Sequence, residues 1–279
     1  MGTEARRIAF EKYEGLGNDF LVIDAAAEAD VPARRAVALC DRHFGIGADG
    51  VLLALPPRDP HADVRMLVVN ADGSVPEMCG NGARCLALHV ARGRGLRDGN
   101  ILLETSAGMR SCAVSERQGD EGWVTVDMGL VRLGHERELD VSGERLTLTV
   151  ADAGNPHAVL FGSYTRDDVE RLGSGVEKHR DFAFGTNVEF VRAGRDGIHV
   201  VVWERGVGIT LACGTGACAA AAVACAKGLT PYGVPVQVRL PGGTLQITVA
   251  QDGQVSMRGP ARHVFSGVMV DAKPASASA

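Results

Sequence analysis

The sequence predicts an α/β (α+β) fold of two pseudo-symmetric domains that share one site, and three observations predict it. Residues 78–91 and 212–225 read almost alike. Each is a Cys-Gly-x-Gly turn, Cys79-Gly80-Asn81-Gly82 and Cys213-Gly214-Thr215-Gly216, opening into a run of small and apolar residues. The polar residues around these turns recur in register: Cys213 follows Cys79 by the interval at which Glu204 follows Asn70, and Asn18 and Asn155 each follow a glycine in a turn. Strand-like runs bounded by glycine and proline fill both halves around the helical runs. A repeat this long implies a duplicated domain, not a solenoid.

Taken in order, residues 8–10 and 21–24 are strands around the turn Gly15-Leu16-Gly17-Asn18-Asp19-Phe20. Pro32 opens a helix to about Arg42, in the first-turn position that proline prefers. The loop from His43 to Gly50 is glycine-rich, but it follows a helix and lacks Gly-Lys-Ser/Thr, which argues against a nucleotide loop. Strands follow at 51–55 and 64–69, punctuated by Pro56-Pro57 and Asp59-Pro60. After the first cysteine helix, 83–92, residues 101–105, 109–115 and 123–128 form a meander. The second half has strands at 146–150 and 158–161 about the turn Gly154-Asn155-Pro156-His157, then a helix at 167–172. A hairpin of 188–191 and 198–203 turns at Gly194-Arg195-Asp196-Gly197. The second cysteine helix, 217–227, ends on Lys227 with Gly228 just past it. Further turns stand at Pro241-Gly242-Gly243 and Gln251-Asp252-Gly253, the last strand is 263–270, and the tail 273–279 is disordered.

The chain of 279 residues, 46% hydrophobic, is long enough for a large core. A net charge of −5 leaves no basic footprint for nucleic acid. No stretch reads as a signal peptide or a membrane span. An odd count of seven cysteines, several inside apolar helical runs, suits reduced thiols in a cytoplasmic protein better than a disulfide framework. None of the four lysines, Lys12, Lys178, Lys227 and Lys273, has the context of a Schiff base, so no pyridoxal cofactor is expected. Without a Cys-x-x-Cys pair, and with scattered histidines, no metal site is expected either.

The chemistry rests on Cys79 and Cys213, each at a helix N-terminus. There, unpaired amides and the helix dipole favour negative charge, to the extent of about 2 kcal/mol at most. The expectation is therefore a lowered thiol pKa, with one thiolate opposite one thiol. Gly80, Gly82, Gly214 and Gly216 are expected to supply positive φ and close approach to a ligand. Cys85, Cys218 and Cys225 read as core, and Cys40 and Cys112 carry no signal. Two thiols on opposite faces of one carbon suit moving a proton from one side of a stereocentre to the other, with helix-end amides supporting the anion.

These residues carry a resemblance. The run Asn70-Ala71-Asp72-Gly73-Ser74-Val75-Pro76-Glu77-Met78-Cys79-Gly80-Asn81-Gly82-Ala83-Arg84 resembles the signature of diaminopimelate epimerases. So do Gly15 to Phe20, Gly154 to His157, Thr186-Asn187-Val188-Glu189-Phe190 and the run from Glu204 to Gly216. The likeness extends in order from about residue 8 to about residue 270. It implies two similar domains, each wrapping strands around a central helix, with the last strand returning to the first. The domains become 1–125 with 263–272, and 126–262.

The resemblance further implies cofactor-independent interconversion of LL- and meso-diaminopimelate, on the route to lysine and peptidoglycan. Cys79 and Cys213 would be the acid/base pair. Gly80, Asn81, Gly214 and Thr215 would hold the reacting carboxylate. Asn18, Asn70, Asn155, Asn187, Glu204 and Arg205 would grip the other charged groups, and His157 and Glu204 would assist the thiols. Family members are often homodimers. Two departures stand out: Gly50 replaces the glutamine of some relatives, and 181–184 replaces a stretch that usually contains proline. The rival readings are a proline-type racemase of the same architecture, and a thiol switch closing a Cys79–Cys213 disulfide.

Overall fold

The computed structural model describes residues 7–270, so the expectation for the tail 273–279 and the end of the returning strand lie outside the described residues. The first half runs β1 (Arg7–Gly15), β2 (Asn18–Asp24), α1 (Ala33–Cys40), β3 (Gly50–Leu55), β4 (Val64–Asn70), α2 (Gly80–Gly93), β5 (Gly99–Thr105), β6 (Gly108–Gln118) and β7 (Glu121–Leu130). The second runs β8 (Arg132–Val141), β9 (Glu144–Asp152), β10 (Pro156–Phe161), α3 (Arg166–Glu177), β11 (Asn187–Gly194), β12 (Gly197–Glu204), β13 (Gly208–Thr210), α4 (Gly214–Ala226), β14 (Val236–Leu240), β15 (Gly243–Val249) and β16 (Gln254–Val270).

The halves repeat strand for strand. From β1 to β7 the neighbours pair antiparallel, parallel, antiparallel, parallel, antiparallel and antiparallel. The path β9, β10, β11, β12, β14, β15, β16 gives the same series. The far end of β16 then lies beside β1, from Arg7↔Val270 to Glu14↔Arg262, as β8 lies beside β9. Each curled sheet wraps a central helix, α2 or α4, and carries a crossover helix, α1 or α3, on its outer side. A helix apolar on every side belongs in a core, and α4, Gly214–Ala226, buries all but its Thr215 and Ala226. One apolar cluster runs through both central helices, while Leu39 of α1 and Leu172 of α3 belong to separate satellite clusters.

The central helices also end alike. Gly95 and Gly228 both adopt φ of 69°, and the next residue donates back into the helix, Leu96 N to Ala91 O and Leu229 N to Ala224 O, each at 2.9 Å. This is the left-handed glycine cap that closes a helix on its last carbonyls. Arg84, fully buried on α2, ties that helix to β16 by donating from Nε to the Pro260 carbonyl at 3.2 Å.

Several elements differ from the sequence expectation. The first turn is only Leu16-Gly17, both at positive φ, so Asn18 opens β2 instead of sitting in a loop. β8 was not expected: its sequence, Arg-Leu-Gly-His-Glu-Arg-Glu-Leu-Asp-Val, is exposed along most of its length and shows no apolar alternation. The last strand is 17 residues long because it serves three partners in turn, β15, β7 and β1. Residues 45–48 cap the carbonyl end of α1, with Ile46 and Gly47 donating to Leu39 O and Ala48 to Cys40 O. The loop is glycine-rich for that close approach. A Cβ on Gly45 would lie 2.2 Å from Ala38 O and 2.7 Å from Leu39 O. Gly45→Ala should therefore lower stability by about 3 kcal/mol, read as a reduced urea midpoint at unchanged slope.

Candidate active site

Cys79 and Cys213 are the N-cap residues of α2 and α4, both in extended conformation, with φ of −137° and −120°. The two helices meet at their first turns. A Cβ on Gly214 would lie 3.7 Å from Gly80 Cα and 3.2 Å from Met257 Sδ, and a Cβ on Gly80 would lie 2.7 Å from Met257 Cε. The seam is also bonded, since Asn81 donates from Nδ2 across it to Ala212 O at 3.2 Å, next to Cys213. Both cysteines are thus held at one junction of the halves.

The glycines of the two motifs do not act as the sequence suggested. None of Gly80, Gly82, Gly214 and Gly216 has positive φ; they form the first turns of the helices. Their role is steric. Gly80 and Gly214 let the helices touch, whereas a Cβ on Gly82 or Gly216 would lie 3.4 Å from the sulfur of its own cysteine.

The thiols differ from expectation too. The Cys79 sulfur accepts from Gly82 N at 3.3 Å, and Cys213 Sγ lies 3.5 Å from Thr215 Oγ1. These contacts favour the thiolate, but burial outweighs them. It pushes the Cys79 thiol up, and Glu204 adds to the effect. It pushes the Cys213 thiol well above its ordinary value, aided by Glu204 and Glu189. Desolvation of a buried charge can shift a pKa by several units, more than a helix dipole supplies. Both thiols are therefore protonated in this state, and both are free.

The sequence-predicted polar residues lie at or beside strand ends, and of these Asn18, through Asn81, and Glu204 bear directly on the cysteine turns. In the first half Asn18 donates to Asp49 Oδ2 at 2.8 Å and accepts from Asn81 Nδ2 at 3.0 Å. Arg42 bridges Asp19 and Asp49 behind it, at 2.7 and 2.8 Å. Asn70 stands opposite Gly50 and donates to Ser74 Oγ at 2.9 Å. Gly50 is closely fitted, with the Val69 carbonyl 3.0 Å from where a Cβ would stand.

In the second half His157 pairs with Asn187 across β10 and β11. Asn187 donates to Pro156 O at 3.0 Å and accepts from Arg205 N at 2.9 Å. The Arg205 side chain turns to Phe184 O at 3.1 Å, in the 181–184 stretch. Glu204 accepts from Thr210 Oγ1 at 2.5 Å, and burial raises its carboxyl pKa.

Three participants were missed. Asp49 orients Asn18, and Thr210 orients Glu204. Glu189, completely buried, contacts His157 Nδ1 at 2.7 Å and would lie 2.7 Å from a Cβ on Gly216. A signal for Glu189 was present: one carboxylate inside the apolar run Asn187-Val188-Glu189-Phe190-Val191 cannot be there for packing. Among the described residues no group of His, Cys, Asp or Glu is arranged to hold a metal ion. Nor is any helix long and apolar enough to cross a membrane.

Raised thiol pKa values mean little thiolate at neutral pH and more as pH rises. Alkylation of Cys79 and Cys213 in the free protein at pH 7.5 should accordingly run slower than that of free cysteine and speed up as pH rises, as read by peptide mass spectrometry.

The family model described as diaminopimelate epimerase matches residues 10–134 and 149–264. The diaminopimelate epimerase of Microcystis aeruginosa is 44% identical, covering 94% of this chain and 99% of that protein. The one from Desulfitobacterium hafniense is 42% identical, covering 93% and 97%. Among solved structures, a hydroxyproline epimerase from Agrobacterium vitis has a TM-score of 0.73 at 17% identity, covering 96% of this chain and 94% of that one. A phenazine biosynthesis protein from Bacillus anthracis has a TM-score of 0.75 at 15% identity, covering 95% and 99%. At such identities those two share the fold.

Proposed function

The chain belongs to the diaminopimelate epimerase family, and from that premise we propose that it converts LL-2,6-diaminopimelate to meso-diaminopimelate by two-base proton transfer between Cys79 and Cys213. It is an epimerase and so an isomerase. The observation that carries the mechanism is the contact of two cysteine-capped helix N-termini at a single buried seam.

In this reading one thiol gives its proton to solvent, and the resulting thiolate removes the α-proton. The electron pair of the broken C–H bond moves into the α-carboxylate, and the opposing thiol returns a proton to the other face. The first amides of an α-helix have no intrahelical acceptor, so those of Gly80, Asn81, Gly214 and Thr215 are available to the growing negative charge. The dry surroundings that hold the thiols protonated also make the thiolate, once formed, a stronger base. A weakly acidic C–H bond needs such a base.

The unsatisfied Oδ1 of Asn81 supports an ammonium contact better than a carboxylate contact, because its Nδ2 is already bonded to Asn18 and Ala212. Asn18, Asn70, Asn155, Asn187, Glu204 and Arg205 would grip the remaining groups of a substrate charged at both ends. His157 and Glu204 would bear on the thiols. The same reading has residues 1–125 with 263–272, and 126–262, as the units that bring one cysteine each. It also assigns the enzyme to lysine and peptidoglycan precursor synthesis in the cytoplasm, as a homodimer, with no cofactor.

Incubation with LL- or meso-diaminopimelate in deuterated water should load deuterium at one α-carbon in the presence of chelator and without pyridoxal phosphate. Cys79→Ala and Cys213→Ala should each lower kcat by about three orders of magnitude or more. Full activity in either variant would overturn the two-base scheme, and turnover of proline with diaminopimelate inert would overturn the substrate.

A further inference from the structure

The two halves match at the residue beneath each second motif glycine, except in chemistry. Under Gly82 stands Leu52, whose Cδ2 lies 2.9 Å from a Cβ built there. Under Gly216 stands the carboxylate of Glu189, with Oε1 at 2.7 Å. The fold is therefore satisfied by an apolar side chain at this place. A fully buried carboxylate costs stability unless it is paired and bonded, and one oxygen of Glu189, Oε2, has no hydrogen-bond partner among the described residues. Its other oxygen faces His157 Nδ1 at 2.7 Å, and the opposite ring nitrogen, Nε2, faces Asn155 Oδ1 at 2.8 Å.

The direction of these contacts determines what Asn155 can offer. An oxygen stands at each nitrogen of the His157 ring, so a ring carrying N–H at both would satisfy both contacts. The Asn155 amide then turns its oxygen inward and keeps its N–H2 without a protein partner among the described residues. A ring with one N–H would give it to Glu189 and accept at Nε2. That would turn the Asn155 amide over and show its oxygen to the site instead. The matched amide of the first half is also set by a carboxylate, but directly and in the other sense. Asn18 gives its Nδ2 to Asp49 and accepts from Asn81 at Oδ1.

We propose that Glu189 is a positioning residue: by fixing the His157 ring it holds the Asn155 amide with its N–H2 toward the site, where it receives a substrate carboxylate. This rests on the reading of Asn155 as a substrate contact. In the first half both ends of the matched Asn18 amide are already bonded, to Asp49 and to Asn81, so the open N–H2 of Asn155 has no counterpart there.

The test uses the full chain and two readouts. In nitrogen-15 NMR of the free wild-type enzyme, His157 should show both ring nitrogens protonated, and Glu189→Gln and Glu189→Leu should each lose one of those protons. With diaminopimelate, both variants should raise KM at least about tenfold, the loss expected for substrate binding, whatever change in kcat follows from removing the Glu189 charge near Cys213. Asn155→Asp, which keeps an oxygen toward His157 but removes the N–H2, should raise KM alike, and it decides the matter if the Glu189 variants do not fold. A wild-type KM in any folded variant, a fall in kcat at constant KM, or a single ring proton in the wild type would overturn the proposal. If the wild type left diaminopimelate unchanged, the substrate reading would fail, and the ring signals alone would decide the orientation.

Discussion

The contact on which everything else depends is the meeting of two helix ends with no side chain between them. Gly80 and Gly214 let α2 and α4 touch at their first turns, with Met257 of the last strand packed against both. Close backbone approach is what glycine permits and any Cβ prevents. Because Cys79 and Cys213 immediately precede these turns, their nearness follows from helix packing rather than from loop placement. The curled sheets fix the helices, the helices fix the caps, and the caps carry the sulfurs. A site mounted on such rigid elements keeps its geometry better than one mounted on loops.

Burial of that contact sets its chemistry. In water a helix N-terminus would acidify a thiol; in this seam desolvation wins and both thiols stay neutral. The polar side chains that accompany them are few, and most are held in place by others. Asn18 is held by Asp49, Asn81 by Asn18 and Ala212, Asn187 by Pro156 and Arg205, and Glu204 by Thr210. In a low-dielectric setting each unmade bond is costly, so such networks specify orientation more than they add stability. The orphaned oxygens of Asn81 and Glu189 are the exceptions.

Much of this was legible in the sequence. The duplicated cysteine turns, the intervals between matched polar residues and the paired helix ends are local patterns, and the fold follows them. The glycines of the motifs were misread because a residue type does not reveal whether it is needed for φ or for space; only the facing helix shows that. β8 was invisible since an edge-like, exposed strand carries no apolar alternation. Glu189 was passed over although its charge inside an apolar strand was conspicuous, because its partner His157 lies in a different strand. The thiol pKa direction could not be read at all, since it depends on how deeply the seam is enclosed.

The route of the last strand bears on how the chain is made. β1 gains its second neighbour only when residues 262–270 arrive, and β7 depends on residues 254–262 of the same strand. A ribosome delivers the amino-terminal half first, yet that half leaves the exit tunnel with two strands each lacking a second partner. Its sheet closes only after nearly the whole polypeptide has emerged. Contacts so distant in sequence slow folding and leave open edges exposed to neighbouring chains in the interval. Truncation of the carboxyl terminus would thus damage the half of the molecule synthesised earliest.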